Sequence, residues 1–306
     1  MNYFAFDLGG TDTKWAVLDD DYRIKRRGEF PTPYESSEEL IRRMAETVRM
    51  QEDSFASIGI SCPGTFYEWD AGVIHGGGFL DFLDGVPLCR ELENAYGIPC
   101  FIENDGICCA LGEYVDGVLK NTRCGVVFVL GTGVGGGIII NGRAYKGAHS
   151  FAGEFSFIRT DLKDENSRLG NCGGWRNGLF AEIMKEKNLS EDEEIDGYTI
   201  FQWIEQDDPE AKRALKRYTD FLACQIWNLQ AILDPEIVAV GGGISRQPVL
   251  IQAIQNSVDE LMSKNEHKRF PAPLIQACAH GNDANLIGAI YNNKIQLGDR
   301  MGITRK

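Results

Sequence analysis

No window of this 306-residue chain approaches the run of about 18 uncharged apolar residues that a membrane-spanning helix needs. Met1 to Leu8 has neither a basic segment nor a long apolar stretch, so no cleaved leader is expected. Positive charge is in short supply: 31 Lys and Arg stand against 45 Asp and Glu, a net of −14. Duplex DNA or an anionic membrane surface would repel such a chain, so neither is an expected partner. Histidine is scarce as well, with His75, His149, His267 and His280 scattered. The nine cysteines are odd in number, contain no C-x-x-C, and lie mostly in apolar runs such as Cys100-Phe101-Ile102 and Cys108-Cys109-Ala110-Leu111. A disulfide framework and a structural zinc site therefore have little support, and buried reduced thiols in a cytoplasmic protein are expected.

Glycine is in excess: 35 of 306 residues is about 11%, against a usual level of about 7%. Apolar residues, at 43%, suffice for real cores, and the length suggests roughly two domains at about 150 residues each. Strands are expected at Asn2 to Leu8, Lys14 to Leu18, Ser57 to Ser61, Cys100 to Glu103, Gly125 to Leu130, Ile138 to Ile140, Ile237 to Val240 and Leu274 to Ala279. Helices are expected at Glu38 to Met50, Leu88 to Tyr96, Gly106 to Val115, Ala211 to Leu233, Pro248 to Met262 and Ala284 to Lys294. This is an α/β alternation with hairpins inserted, which does not fit an all-parallel sheet. Phe6-Asp7-Leu8-Gly9-Gly10-Thr11 and Phe128-Val129-Leu130-Gly131-Thr132-Gly133 form a faint repeat of strand, glycine turn and strand. A duplicated domain, with its boundary near Asp116-Gly117, would produce it. The acidic cluster Glu191 to Glu194 is expected as a solvated loop or helix start.

Fifteen of the glycines fall in five clusters: Gly9-Gly10, Gly76 to Gly78, five between Gly131 and Gly137, Gly173-Gly174, and Gly241 to Gly243. Three of these clusters follow an apolar strand. A turn without Cβ atoms lets backbone N–H groups approach an anion, which is the physical case for phosphate binding. Gly131-Thr132-Gly133-Val134-Gly135-Gly136 satisfies G-x-G-x-x-G, but a dinucleotide fingerprint needs a helix next. Here Ile138-Ile139-Ile140 and the turn Asn141-Gly142 follow. No G-x-x-x-x-G-K-[ST] exists either. What remains is an ATP site built from hairpins.

The ordered set Asp7-Leu8-Gly9-Gly10-Thr11-x-x-Lys14, Glu103-Asn104-Asp105-Gly106, Ala110-Leu111-Gly112-Glu113, Gly131 to Gly137, Gly241-Gly242-Gly243-Ile244 and Gly281 to Ala289 resembles the ROK family of sugar kinases. The resemblance spans nearly the whole chain. It implies a two-lobed actin-like, ribonuclease H-like ATPase fold, each lobe a mixed sheet with flanking helices. The lobes would be 1–116, completed by the C-terminal helix 284–306, and 117–283. The family's repressors carry a DNA-binding domain before the first glycine motif, which here starts at Asp7, so a kinase is expected. ATP and Mg²⁺ are the implied cofactors, a homodimer the implied assembly, and lobe closure around the phosphoryl group the expected motion.

On that resemblance, Asp105 is the candidate general base; local sequence alone favours an N-cap for the helix from Gly106, and the two roles are compatible. Asn104, Glu154, Gly64 and Gly78 are the candidate sugar-binding positions; for Glu154, local sequence leaves a surface strand open. Asp7 would hold Mg²⁺ through water, and Gly9, Gly10, Thr11 and Lys14 would face the phosphates. Gly131, Thr132 and Gly133 would form a second cradle, with Gly241 and Gly242 beside adenosine. Two departures stand out. The family's Gly-His after the Glu-x pair is Ser156-Phe157 here, and of its cysteine-rich zinc motif only Cys172 remains, so no zinc is expected. Ala152-Gly153-Glu154-Phe155, Asn171-Cys172 and Gly76 to Gly78 resemble the β-glucoside kinase branch. Phe157 could then shape a subsite for an aglycone or second sugar, with Gly76 to Gly78 and Gly173-Gly174 as further places to look for specificity. Glucose, fructose or N-acetylmannosamine are the alternative acceptors, and a sugar sensor without catalysis is the alternative outside enzymes.

Overall fold

The computed structural model describes residues 1–300 apart from 70, 165, 191, 192, 194 and 265–269. Most of the acidic cluster at 191–194, His267, and the part of the expected C-terminal helix beyond 300 lie outside the described residues. The chain divides into two compact units. The first comprises Met1–Asp116, Ala144–Ala152 and the segment from Asn282 onward; the second comprises Gly117–Arg143 and Gly153–Gly281.

The first unit contains β1 (Asn2–Leu8), β2 (Asp12–Leu18), β3 (Ile24–Pro31), α1 (Ser37–Arg49), β4 (Phe55–Cys62), β5 (Phe66–Glu68), β6 (Val73–His75), α2 (Leu88–Tyr96), β7 (Cys100–Asn104) and α3 (Asp105–Asp116). Five strands form a mixed sheet in the order β3-β2-β1-β4-β7, and β5 and β6 form a separate hairpin. In β1, Phe4, Phe6 and Leu8 enter the core beneath Leu40, Met44 and Leu92, whereas Tyr3 and Ala5 face Leu286 and Ile290. A strand covered on both faces has no polar side, which is why it reads as a continuous apolar run. Ser36 caps α1 by accepting the Glu39 N–H at 3.2 Å, and Gly97, at φ +68°, closes α2 in the left-handed conformation. The sequence pattern misses β3 because Ile24–Pro31 is a largely exposed edge strand carrying Lys25, Arg26 and Arg27. Charge on an edge strand protects it from pairing with other chains, and it also hides the strand from a search for apolar alternation.

The second unit contains β8 (Cys124–Leu130), β9 (Val134–Ile140), β10 (Arg143–Ala144), α4 (Leu169–Cys172), α5 (Ala181–Lys187), α6 (Gly197–Glu205), α7 (Pro209–Leu233), β11 (Ile237–Gly241), α8 (Pro248–Ser263) and β12 (Leu274–Ala277). Its sheet runs β10-β9-β8-β11-β12. The second strand of the glycine hairpin begins at Val134, so Gly135, Gly136 and Gly137 lie in β9 and only 131–133 turn. At Gly136 a Cβ would stand 2.3 Å from the Val127 carbonyl oxygen and 2.4 Å from the Phe155 ring. That ring stacks on Phe128 with centroids 4.6 Å apart. Gly136 therefore seats an aromatic ring and does not serve a turn.

The last helix, α9 (Ala284–Arg300), packs in the first unit against α3 and β4. Its crossing of α3 is close: a Cβ on Gly288 would meet the Cys108 carbonyl oxygen at 1.8 Å, and one on Gly112 the Ala284 carbonyl oxygen at 2.2 Å. All nine cysteines are free thiols, and Cys62, Cys89, Cys100, Cys108 and Cys109 are buried. Among the described residues, no helix is long and apolar enough to cross a membrane.

Candidate active site

In the first unit, β1, β4 and β7 are parallel neighbours, and their carboxyl ends carry a row of polar residues. Asp7 is in register with Ser61, Ser61 with Glu103, and Cys62 with Asn104. Ligands of open α/β sheets sit at such strand ends, where side chains leave the apolar core. Asp7 is half-buried, and its Oδ1 accepts from Ser61 Oγ at 2.7 Å and from Asn285 Nδ2 at 3.0 Å. Burial pushes the Asp7 carboxyl up, against those two hydrogen bonds and the Lys14 charge, which pull it down. Lys14 stands opposite Asp7 on β2.

Between these strands the chain turns tightly. The Gly9 N–H donates to the Asp12 carbonyl at 3.2 Å, and a Cβ on Gly9 would lie 2.7 Å from that oxygen. Gly10 and Thr11 N–H groups have no hydrogen-bond partner among the described residues. Adjacent unpaired backbone N–H groups make an anion-binding concavity. Gly78, at φ +61°, opens a short, kinked 3₁₀ segment (Gly78–Leu83) whose Phe79 lies against Gly10, 3.3 Å from where a Cβ would be.

The end of β7 corrects one expectation. The cap of α3 is Asn104, whose Oδ1 accepts the Ile107 N–H at 3.0 Å. A side chain one residue before the helix reaches the third helical N–H, which is the capping geometry. Asn104 Nδ2 also donates to the Gly64 carbonyl at 3.1 Å. Asp105, relieved of the cap, is half-buried and accepts the Gly106 N–H on Oδ1 at 2.8 Å. Burial raises the Asp105 carboxyl above its ordinary range, the Gly106 N–H opposes this, and the negative charge of Asp7 adds to the rise.

Glu103, 1% exposed, sits beneath Asn104 and accepts its N–H at 3.0 Å. Burial raises its carboxyl and Lys146 draws it back. Lys146 Nζ lies 2.6 Å from Glu103 Oε2 and 3.5 Å above the centre of the Trp69 ring. Trp69 stacks on Tyr67 and donates from Nε1 to Ser150 Oγ at 3.0 Å. The segment Ala144–Ala152 is thereby locked to the strand end that carries Asn104. Lys146→Met strands a buried carboxylate and is expected to cost about 3–5 kcal/mol. Urea denaturation measures it, and a cost below about 1 kcal/mol would rule out this anchoring role.

In the second unit, Gly131, Thr132 and Gly133 form the β8–β9 turn, where the Gly131 N–H donates to the Gly133 carbonyl at 3.0 Å. Thr132 and Gly133 N–H groups have no partner among the described residues. A Cβ on Gly131 would meet open space, while one on Gly174 would strike the carbonyls of Gly131, Thr132 and Gly133 at 2.6–2.9 Å. Trp175 N–H also donates to the Gly131 carbonyl at 2.8 Å. Gly174 thus supports the turn. Gly241 ends β11 beside β8. At Gly242, φ is +91° and a Cβ would stand 2.3 Å from the Leu130 carbonyl oxygen. Only glycine permits that conformation and approach together. Glu154 is half-buried between Gly153, at φ +95°, and a turn of 3₁₀ helix at Phe155–Phe157, so the surface-strand alternative is excluded.

Taken one at a time, each glycine turn presents unused N–H donors of the kind that suit phosphate oxygens, and at Gly131 the second unit's turn opens onto free space. Among the described residues no group of three or more His, Cys, Asp or Glu side chains is placed to hold a metal. A Mg²⁺ site resting on one carboxylate, water and substrate phosphates matches that composition. Ser61, Asn285, Lys146 and Thr32 were not among the expected site residues.

Two mixed sheets with flanking helices, each bearing a glycine hairpin, define the actin-like ATPase fold, and the solved structures that resemble this chain share it. A ROK family protein from Streptococcus pneumoniae, solved with sucrose, is 29% identical, with a TM-score of 0.87 over 98% of this chain and all of that one. A ROK family glucokinase from Streptomyces griseus, solved with glucose and AMPPNP, is 24% identical, with a TM-score of 0.80 over 94% of this chain and 98% of that one. The N-acetyl-D-glucosamine kinase of Salmonella newport is 27% identical over 94% of this chain and 98% of its own length. The ROK family model matches residues 3–294, and the chain belongs to the ROK family.

Proposed function

We propose that the protein is an ATP-dependent carbohydrate kinase that transfers the γ-phosphate to a primary, 6-position hydroxyl of a hexose or a β-glucoside such as cellobiose. The observation that carries this reading is Asp105: a half-buried carboxylate at a strand end, its Oδ1 fixed by the Gly106 N–H, beside a polar residue and above its ordinary pKa range. Asn104, Gly64, Gly78 and Glu154 bind and orient the acceptor. Asp105 Oδ2 takes the hydroxyl proton as the acceptor oxygen forms its bond to phosphorus and the bond to the ADP oxygen breaks. Gly9, Gly10, Thr11 and Lys14, with Gly131, Thr132 and Gly133, hold the phosphate oxygens, and Gly241 and Gly242 border the adenosine. Asp7 would hold Mg²⁺ through water, and the chemistry the ion would supply is neutralisation of charge at the phosphates.

For the acceptor, the support is the replacement of the family histidine by Phe157, which is 37% exposed and carries Arg168 5.3 Å above its ring. An exposed aromatic face suits a second sugar ring or an aryl aglycone. The sucrose bound to the Streptococcus pneumoniae relative supports a disaccharide-sized site. A hexosamine is the second reading, favoured by the name of the Salmonella relative. ADP release across glucose, fructose, N-acetylmannosamine, N-acetylglucosamine, cellobiose and an aryl β-glucoside decides between them. Cellobiose or the aryl glucoside is expected to exceed glucose in kcat/KM by about tenfold, as one well-packed ring contact allows. A large preference for glucose would overturn the β-glucoside reading. A homodimer in the cytoplasm completes the proposal, and sedimentation velocity tests the dimer.

A further inference from the structure

We infer that Thr32 is a positioning residue that holds the Gly9–Thr11 turn in its phosphate-binding shape, an inference that rests on the proposed nucleotide role of that turn. Thr32 follows β3 and is 4% exposed. It touches the turn twice and the strand that follows it once. Its N–H donates to the Thr11 carbonyl at 2.9 Å, and its Oγ1 donates to the Gly9 carbonyl at 2.8 Å. Its Oγ1 also lies 2.9 Å from Oγ1 of Thr13, which is fully buried. A hydroxyl has one proton, and Thr32 spends its own on Gly9, so Thr13 is the donor in that third contact. The result is a one-way chain from Thr13 through Thr32 to Gly9.

The consequence follows from what the turn lacks. Gly9 and Gly10 have no side chains to limit their backbone, and Gly10 and Thr11 must keep their N–H groups unspent to meet an anion. Bonds that stabilise the turn must therefore fall on its carbonyls. Thr32 takes two of them, on Gly9 and Thr11, and leaves both N–H groups free. A clamp on the carbonyl side orders the turn before the phosphates arrive, so the cost of ordering is not charged against nucleotide affinity.

Thr32→Val keeps the shape and the backbone bond but removes the hydroxyl, and Thr32→Ser keeps the hydroxyl. Thr13→Val, which removes only the outer donor, is the second variant should Thr32→Val fold poorly. Calorimetric titration with AMPPNP, without sugar, reads nucleotide binding independently of the acceptor. Kinetics with ATP varied and then sugar varied read the split between the two KM values. Thr32→Val is expected to weaken AMPPNP and to raise KM for ATP by about tenfold, which is the scale of one buried hydrogen bond lost. Its sugar KM stays unchanged, Thr32→Ser stays within about threefold of wild type, and Thr13→Val falls between. Wild-type AMPPNP affinity in Thr32→Val, or equal rises in both KM values that Thr32→Ser does not rescue, would overturn the inference. A wild-type protein that binds AMPPNP but phosphorylates no sugar would overturn the proposed acceptor and leave the Thr32 comparison standing.

Discussion

Asp105→Asn is expected to lower kcat by about 10²- to 10⁴-fold, the usual worth of a positioned general base. The same variant is expected to be at least as stable as wild type at neutral pH. The sign follows from linkage. Burial and the nearby Asp7 raise the folded-state pKa of Asp105 above its unfolded value. The ionised carboxylate therefore works against folding at neutral pH, and that penalty disappears as pH falls through the raised pKa. The amide never ionises, so it carries no such penalty. Activity runs the opposite way: wild-type kcat/KM is expected to fall as pH drops through the same ionisation, because a protonated base cannot accept the hydroxyl proton. Thermal denaturation and ADP-release assays on the two proteins, across pH, check both halves. A variant that melts well below wild type would attribute the lost activity to damage, and one that keeps wild-type kcat would remove Asp105 from catalysis.

Gly288→Ala is expected to destabilise the protein by about 3 kcal/mol or more, at the upper end of what overpacking costs. Helix propensity alone argues for the reverse, since alanine is favoured over glycine by about 1 kcal/mol in a helix interior. The geometry decides between them. A methyl group 1.8 Å from the Cys108 carbonyl oxygen cannot be relieved by rotating a side chain, because the obstacle is backbone. The helix must move, and the same crossing depends on Gly112 against the Ala284 carbonyl. The damage should reach the site, since α3 begins at Asp105 and α9 carries Asn285, which holds Asp7. Urea denaturation measures the loss, and a change smaller than about 1 kcal/mol would show that the helices part easily. Gly97→Ala, placed where a Cβ meets nothing but at φ +68°, is the milder comparison.

How much of this is legible in the sequence depends on how local the cause is. The α/β order, the hairpins and the family are legible because each glycine motif directly follows its own strand. Asp7, Asn104 and Asp105 stand out as polar residues ending apolar runs. Glycine spacing misleads at Gly135 to Gly137, since a strand glycine that admits Phe155 and a turn glycine look alike in one dimension. Ser61 and Asn285 carry no local signal, as they reach Asp7 across 54 and 278 positions. Thr32 and Lys146 are hidden in the same way: each looks like an ordinary surface residue until the fold brings it to its partner. The cap on α3 is a one-residue error of another kind, because adjacent Asn and Asp suit that position equally and only the path of the backbone chooses.

The bonds of Asn104 also have a directional meaning. Its oxygen faces the Ile107 N–H and one amide hydrogen faces the Gly64 carbonyl, so the group cannot flip without breaking both. Asn104 therefore meets any ligand with its amide already oriented, hydrogen-bonded through both its oxygen and its nitrogen. The orientation of the amide is thus set by the backbone around it before any substrate enters.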